Sequence, residues 1–304
     1  MPEAEALQKM RELIGRIKTL PTLPIVVARL TKMLADPETS VKKVTQVLAE
    51  DQALTAKILK LANSAYYGFP GQIASVDHAV VMLGFGGVRD VALSASVINL
   101  FRSSPQEAED LRQLFAPDRF WEHSIAAGVA CRLLARLRKL ADPEEAFVAG
   151  LLHDIGKLIM CEHLSGEFLD VLRDCHEHGR VFVAAEADRG LSHAALGRLL
   201  IEEWKLPERI SEPVGFHHQL RPRRPTAALA AAVQFADIFA RARGVGAAGD
   251  DFLPPLDPEA ARLLGLEALD LGRFVREFDD GMLQASVFLD LVRGSAAGPG
   301  GPRS

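Results

Sequence analysis

Two adjacent pairs hold the residue types best suited to chemistry: His153 with Asp154, and His217 with His218. Imidazole binds mid-series divalent ions well, and a carboxylate in the same set shifts the preference toward harder ones. On a helix, Lys157 lies three and four residues beyond the His153-Asp154 pair and shares its face. A lysine there could contact a substrate phosphate or pair with Asp154. The run Arg221-Pro222-Arg223-Arg224-Pro225 follows the paired histidines. Its guanidinium groups could meet a phosphate, although such a run is more often a solvated loop. Gly84, Gly86 and Gly87 lack the GxxxxGK[ST] spacing of a phosphate loop and follow no strand, so they are not read as one.

Helices must position these groups. In Gln52–Asn63 the apolar Leu54, Ile58 and Leu61 recur at helical spacing, with Asp51 suited to cap the start and Asn63 to end the run in a left-handed conformation. Pro37 after Asp36 suits a turn or helix start. Asp118 precedes a run with Val129, Leu133 and Leu137 on one face and the small Ala126, Ala127, Gly128 and Ala130, which allow another helix to approach closely. Ser192 caps a run bearing Leu196, Leu200 and Trp204. No confident strand is found, so the expected fold is all-α, a helical bundle of two packed subdomains.

The chain has 304 residues, 48% of them apolar, enough for a sizeable core. Its net charge of −5 argues against a general nucleic-acid binder. The N-terminus is charged from the start and resembles no signal peptide. The most apolar stretch, Ala79 to Phe101, is broken by Arg89 and Asp90, so no membrane span is expected. Three scattered cysteines, Cys131, Cys161 and Cys175, suit a reducing compartment, and a cytoplasmic location is expected. Breaks fall at Ser103-Ser104-Pro105, at the arginine-proline run, and at a Gly/Ala/Asp/Pro linker from Gly244 to Pro255. A last helical stretch, Pro258 to Arg293, is rich enough in Leu and Phe to cap the domain or to mediate self-association.

Longer motifs carry a family resemblance. Residues Leu20 to Leu93 contain an LPxLP opening, the block EDQALTAKILKLANSAYYG, and AVVMLGFGGVRD. Further on come FWEHSIAAGVA, GLLHDIGKL, SHAALGRLLIEEWKLPERI and HHQ. Over roughly residues 15 to 245 this resembles the HDOD domain, a divergent relative of the HD phosphohydrolases and HD-GYP phosphodiesterases. The resemblance implies an N-terminal helix (1–19) and an HDOD domain (20–245) split into a helical half (20–104) and an HD-like half (115–245). A C-terminal helical extension (246–293) and a disordered tail (294–304) follow.

The same resemblance implies a metal-ligand set: His123, His153, Asp154, His193, His217, His218 and Asp237, with Asp154 able to bridge two ions and Lys157 as a catalytic candidate. The implied cofactor is a divalent metal (Fe, Mn, Ni or Zn), and the set is large enough for a binuclear centre. Singly, each residue has an ordinary reading. His123 could be a helix histidine beside Trp121, and His193 could lie at the surface of a first helical turn. His217 and His218 near a helix end are favoured by the helix dipole alone. Asp237 lies among apolar residues and needs a partner, because an unpaired buried charge is costly. His78, His163, His176 and His178 match no motif. The sequence departs from HD-GYP enzymes in lacking Gly-Tyr-Pro after His218 and in having Arg119 one turn before His123.

The implied function is a bacterial signal-transduction module acting through protein contacts, with signalling proteins recruited in trans. A metal-dependent phosphohydrolase acting on a nucleotide or cyclic dinucleotide is the alternative, and a nucleotide-binding switch a third. Self-association is compatible with the C-terminal helices. Neither DNA nor a membrane is expected as a partner.

Overall fold

The computed structural model describes residues 17, 20–34, 36, 38–101 and 109–293. The expected N-terminal helix, Pro37, the break at residues 103–105 and the tail from 294 lie outside them. Among the described residues the structure is all-α, with no strand.

The first half contains α1 (Ile25–Leu34), α2 (Val41–Leu48), α3 (Gln52–Ala62) and α4 (Val76–Phe101). Asp51 caps α3 as its position predicts: its Oδ1 accepts from the Leu54 amide at 2.9 Å, and Leu54, Ile58 and Leu61 are buried. Asn63 differs from expectation. Its backbone is not left-handed (φ −84°), and its side-chain amide instead bridges to both the N–H and the carbonyl of Ile73 at 2.8 Å. Asn63 thus closes the loop holding Tyr66 and Tyr67, and the left-handed turn falls to Gly68 (φ 61°).

α4 is two helical segments meeting at Gly84 (φ 70°, ψ 172°). It is long and apolar enough to cross a membrane, with mean hydropathy 1.5 over its best window, yet 61% of that window is buried inside the protein. It serves as a core helix here. Asp90 on α4 is buried beside Arg89 at 2.7 Å, and Arg89 also reaches Glu145 at 3.3 Å.

The second half runs through α5 (Glu109–Leu114), α6 (Pro117–Arg138), α7 (Pro143–Leu152), α8 (Ile155–His163), α9 (Ser165–His178), α10 (Phe182–Asp188), α11 (His193–Glu203), α12 (Glu208–Phe216) and α13 (Ala227–Ala242). α6 starts on Pro117 with Ala116 as N-cap, so Asp118 sits in the first turn rather than before it. The small residues of α6 do let a helix approach. A Cβ on Gly150 of α7 would lie 2.7 Å from the Ala127 carbonyl oxygen, and one on Gly128 2.9 Å from that of Phe147. α8 and α11 are closer still: a Cβ on Gly156 would meet the His193 carbonyl oxygen at 1.9 Å. Glycine at 156 is therefore what allows Asp154 and His193 to come together.

The last stretch divides into α14 (Pro258–Leu264), a short 3-10 turn (Leu266–Ala268), α15 (Leu271–Gln284) and α16 (Ser286–Arg293). It packs onto the domain. Phe274 and Phe278 of α15 meet Phe239 edge-on at 5.0 Å, and Phe288 of α16 meets Tyr66 and Phe147 at 5.2 and 5.0 Å.

Gly156→Ala should cost about 2–3 kcal/mol in chemical denaturation, because backbone atoms of α11 cannot yield as a side-chain tip would. Gly166→Ala, at an exposed position with open space around it, should be neutral or slightly stabilising. Similar effects at the two glycines would refute the close approach. A second prediction concerns pH. Burial pushes the Asp90 carboxyl up to about 6, against the opposing pull of Arg89 and with a smaller push from Glu145. A raised carboxyl favours the fold while protonated: its contribution is whole below the ordinary 3.8 and lost as pH climbs through about 6. Relative to Asp90→Asn, the natural chain should therefore lose stability on the order of 1 kcal/mol between about pH 5 and pH 7. Parallel stability–pH curves for the two proteins would count against it.

Candidate metal centre

Five histidines and two aspartates converge where helix ends meet. His123 comes from the middle of α6, and His153 ends α7. Asp154 occupies the turn into α8 (φ −99°, ψ 7°), so the chain breaks its helix at the His-Asp pair itself. His193 is the first residue of α11, His217 follows the end of α12, and Asp237 comes from α13. All are buried except His218, which is partly open.

The side chains form two groups that share Asp154. One is His123, His153, Asp154 and Asp237, and the other is Asp154, His193, His217 and His218. Within each group the potential ligand atoms lie within 4.8 Å of one another. Oδ2 of Asp154 faces His153 Nε2 at 3.3 Å and His123 Nε2 at 4.0 Å, while Oδ1 faces His193 Nε2 at 3.1 Å. Each carboxylate oxygen thus addresses one group. Asp237 Oδ1 lies 3.0 Å from His123 Nε2 and 3.7 Å from His153 Nε2.

The outer nitrogens of three rings are already committed. Nδ1 of His153 donates to the Gly150 carbonyl at 2.7 Å, that of His217 to the Val214 carbonyl at 2.7 Å, and that of His193 to the Glu186 carboxylate at 2.7 Å. Carbonyls and carboxylates only accept, so the proton sits on Nδ1 and a neutral ring turns a bare Nε2 inward. This is the outer-shell pattern of metal-ligating histidines. The inward atoms are orphaned: Nε2 of His123, His153 and His217, Oδ1 of Asp154 and Oδ2 of Asp237 are buried with no hydrogen-bond partner. Lone pairs facing lone pairs in a dry interior repel each other. A cation between them resolves the conflict, and the donor set fits a divalent metal.

Electrostatics show the same frustration. Burial alone would lower His153, but Asp154 and Asp237 beside it lift it to about 9. Burial pushes His217 down to about 3, helped by repulsion from His153 and His193. Burial also opposes ionisation of Asp154, yet His153 and Lys157 hold it well below the usual carboxylate range. Without an ion, neighbouring imidazoles are driven in opposite directions.

Lys157 is buried and fully engaged. Its Nζ donates to Asp154 Oδ2 at 2.7 Å and to the Ala248 carbonyl at 2.9 Å, over the face of Phe182. The ordinary histidines stay apart from the cluster: His176 bonds the Leu172 carbonyl and His178 pairs with Asp174.

Several contributors escaped the sequence reading. Glu186 orients His193 through both its ring and its backbone N–H. Arg241 holds Asp237 at 2.7 Å and Asp250 at 2.9 Å. The i, i+4 spacing of Asp237 and Arg241 was a readable signal. Residues 245–250, part of the expected Gly/Ala/Asp/Pro linker, form a strap across the centre. Ala247 N–H donates to the Arg119 carbonyl, the Arg119 side chain donates to the Gly246 carbonyl, and Ala248 and Asp250 are buried. Gly246 (φ 68°) is required there, since a Cβ would lie 2.2 Å from the His123 nitrogen. Arg119, the departure noted one turn before His123, thus bolts down the strap. Of the arginine-proline run, Arg224 is paired with Glu212 at 2.6 Å, whereas Arg221 lines a cavity of about 380 Å³ that reaches His218.

Comparison with known proteins agrees with this architecture. An HDOD domain protein of unknown function from Geobacter sulfurreducens has 28% identity and a TM-score of 0.76, over 95% of this chain and 98% of that one. A Shewanella amazonensis protein provisionally named a phosphohydrolase has 25% identity and a TM-score of 0.70 over the same shares. An uncharacterized protein of Treponema pallidum is 25% identical over 213 residues, which is 69% of this chain and 39% of that protein. The chain spans well under half the length of the curated relatives it matches. A model of the HDOD domain matches residues 20–220, and the chain belongs to that family.

Proposed function

We propose that this chain is a signal-transduction module built around a two-ion divalent metal centre able to act on a phosphate ester. One observation carries the reading: Asp154 turns one oxygen to each of two groups of orphaned imidazole and carboxylate atoms. His123, His153 and Asp237 would hold one ion, His193, His217 and His218 the other, and Asp154 both. Bound there, a metal pair supplies an activated water and neutralises phosphate charge. The protein's own part is to fix the donors. Glu186 and the Gly150 and Val214 carbonyls set the imidazole tautomers, while Lys157 and Arg241 hold Asp154 and Asp237 in place. Lys157 is spent on Asp154 and the strap, so its role is positioning.

A second reading keeps the metal structural and places function in contacts with signalling proteins. The sealing of the His123 side by the strap favours it, as does the absence of Gly-Tyr-Pro after His218.

Metal analysis of natively purified protein tests the shared premise, with about two divalent ions per chain expected. Asp154→Asn should strip both. Chelation should lower the Tm of the natural chain and leave that of the variant unchanged, because metal binding is coupled to folding. An equal chelator response in the two proteins would remove the centre from the account. Turnover of phosphate esters by Fe-, Mn- and Ni-loaded protein, prepared anaerobically, separates the readings: hydrolysis lost in Asp154→Asn supports the first, and full metal occupancy without turnover supports the second.

A further inference from the structure

The metal reading leaves open what reaches the centre, and the surface has one built answer. We propose that the cavity beside His218 seats a phosphate monoester bearing a single organic group of about nucleoside size. The proposal rests on the reading of the His/Asp cluster as a metal centre.

One approach to the cluster is roomy, since the opening beside Lys157 and Arg241 holds only about 10 Å³. His218 is the cluster histidine that is not fully buried, and it lines this cavity. The His123 side lies under the strap, where Gly246 abuts the His123 backbone. A ligand entering here therefore meets the His193, His217 and His218 group first.

Size follows from volume. About 380 Å³ lies near the lower end of small-molecule sites, roughly 300–1,000 Å³, and accommodates one nucleoside-sized group rather than two.

The lining sets the chemistry. At the inner end, Glu186 also touches the cavity, but both its oxygens are occupied by His193. At the mouth, Arg221 forms no ion pair among the described residues, whereas the neighbouring Arg198 and Arg224 are paired with Glu202 and Glu212. The Arg221 guanidinium lies 5.6 Å from the Phe216 ring, which holds it near the opening. A guanidinium fork at the mouth, with the divalent ion that the His218 group would hold at the inner end, selects a dianionic head with several oxygens, as in a monoester. The rest of the wall is mostly apolar and built from small residues such as Ala195 and Gly215, suited to a flat organic body. A cyclic dinucleotide has two nucleoside groups and only singly charged phosphates, and fits neither the size nor the head.

Calorimetry on the full chain tests this, using adenosine 5′-monophosphate, inorganic phosphate and cyclic di-adenosine monophosphate as probes, with and without chelator. Adenosine monophosphate should bind more tightly than either of the others. Arg221→Ala should weaken it about tenfold and Arg221→Lys less, the scale of a charged hydrogen bond. Ala195→Leu fills the cavity from an exposed helix position and should abolish adenosine monophosphate binding while leaving metal content unchanged. Binding indifferent to Arg221→Ala and Ala195→Leu, or equal affinity for the cyclic dinucleotide, overturns the proposal. If the protein proves metal-free yet chelated protein still loses adenosine monophosphate binding on Ala195→Leu, the cavity assignment stands and the metal reading falls.

Discussion

Asp154 turns both its oxygens toward imidazole nitrogens, in a space buried on all but the His218 side. That confrontation is the constraint on which the second half of the structure depends. Two aspartates, a lysine and five imidazoles cannot be brought together in a protein interior at low cost unless every lone pair finds a donor or a cation. Lys157 satisfies part of Asp154, and Arg241 part of Asp237. The remaining orphaned atoms point at each other, and the outer nitrogens of His153, His193 and His217 are already tied down, so reorientation cannot relieve them.

The backbone is shaped to bring those atoms together. Gly156 lets α8 lie against α11 at backbone contact, and Gly150 and Gly128 do the same for α7 and α6. These contacts decide where His153, Asp154, His193 and His123 start, since each is at or near a helix end or on a helix face pressed against another. The first half is attached at a different place. Tyr66, at the turn closed by Asn63, stacks edge-on with Phe288 and packs on Phe147, with the Arg132 guanidinium 4.0 Å over its ring. One aromatic cluster thus joins the turn after α3 to α7 and α16.

Much of this was legible because local chemistry announces itself. The caps Asp51 and Ser192 act through neighbours in sequence, and the structure has them as read, as it has the close helix approach that the small residues of α6 allow. Glu186 could not be found that way, because its partner His193 is seven residues off across a turn. The strap was missed for a deeper reason. Gly, Ala and Asp in residues 244–251 have the composition of a solvated linker, and only tertiary contacts with Arg119, Lys157 and Arg241 show that it is buried. Asn63 was read through its backbone tolerance, but its amide side chain had a better use in bridging to Ile73.

The asymmetry of the centre bears on what a protein-contact module would need. A domain that serves only as a docking surface gains nothing from burying imidazoles with opposed charge preferences; hydrophobic residues of similar volume fill such a space at no electrostatic cost. Here the Gly150 and Val214 carbonyls and the Glu186 carboxylate orient His153, His217 and His193 as metal ligands would be oriented, and Gly246 makes room for a strap over one side. The other side is left open by small residues and by Arg221, which forms no ion pair among the described residues. A structural ion alone would be better served by closing both sides. One side shut and one open is what the proposed reading asks of a centre that would keep its ions and still admit a ligand.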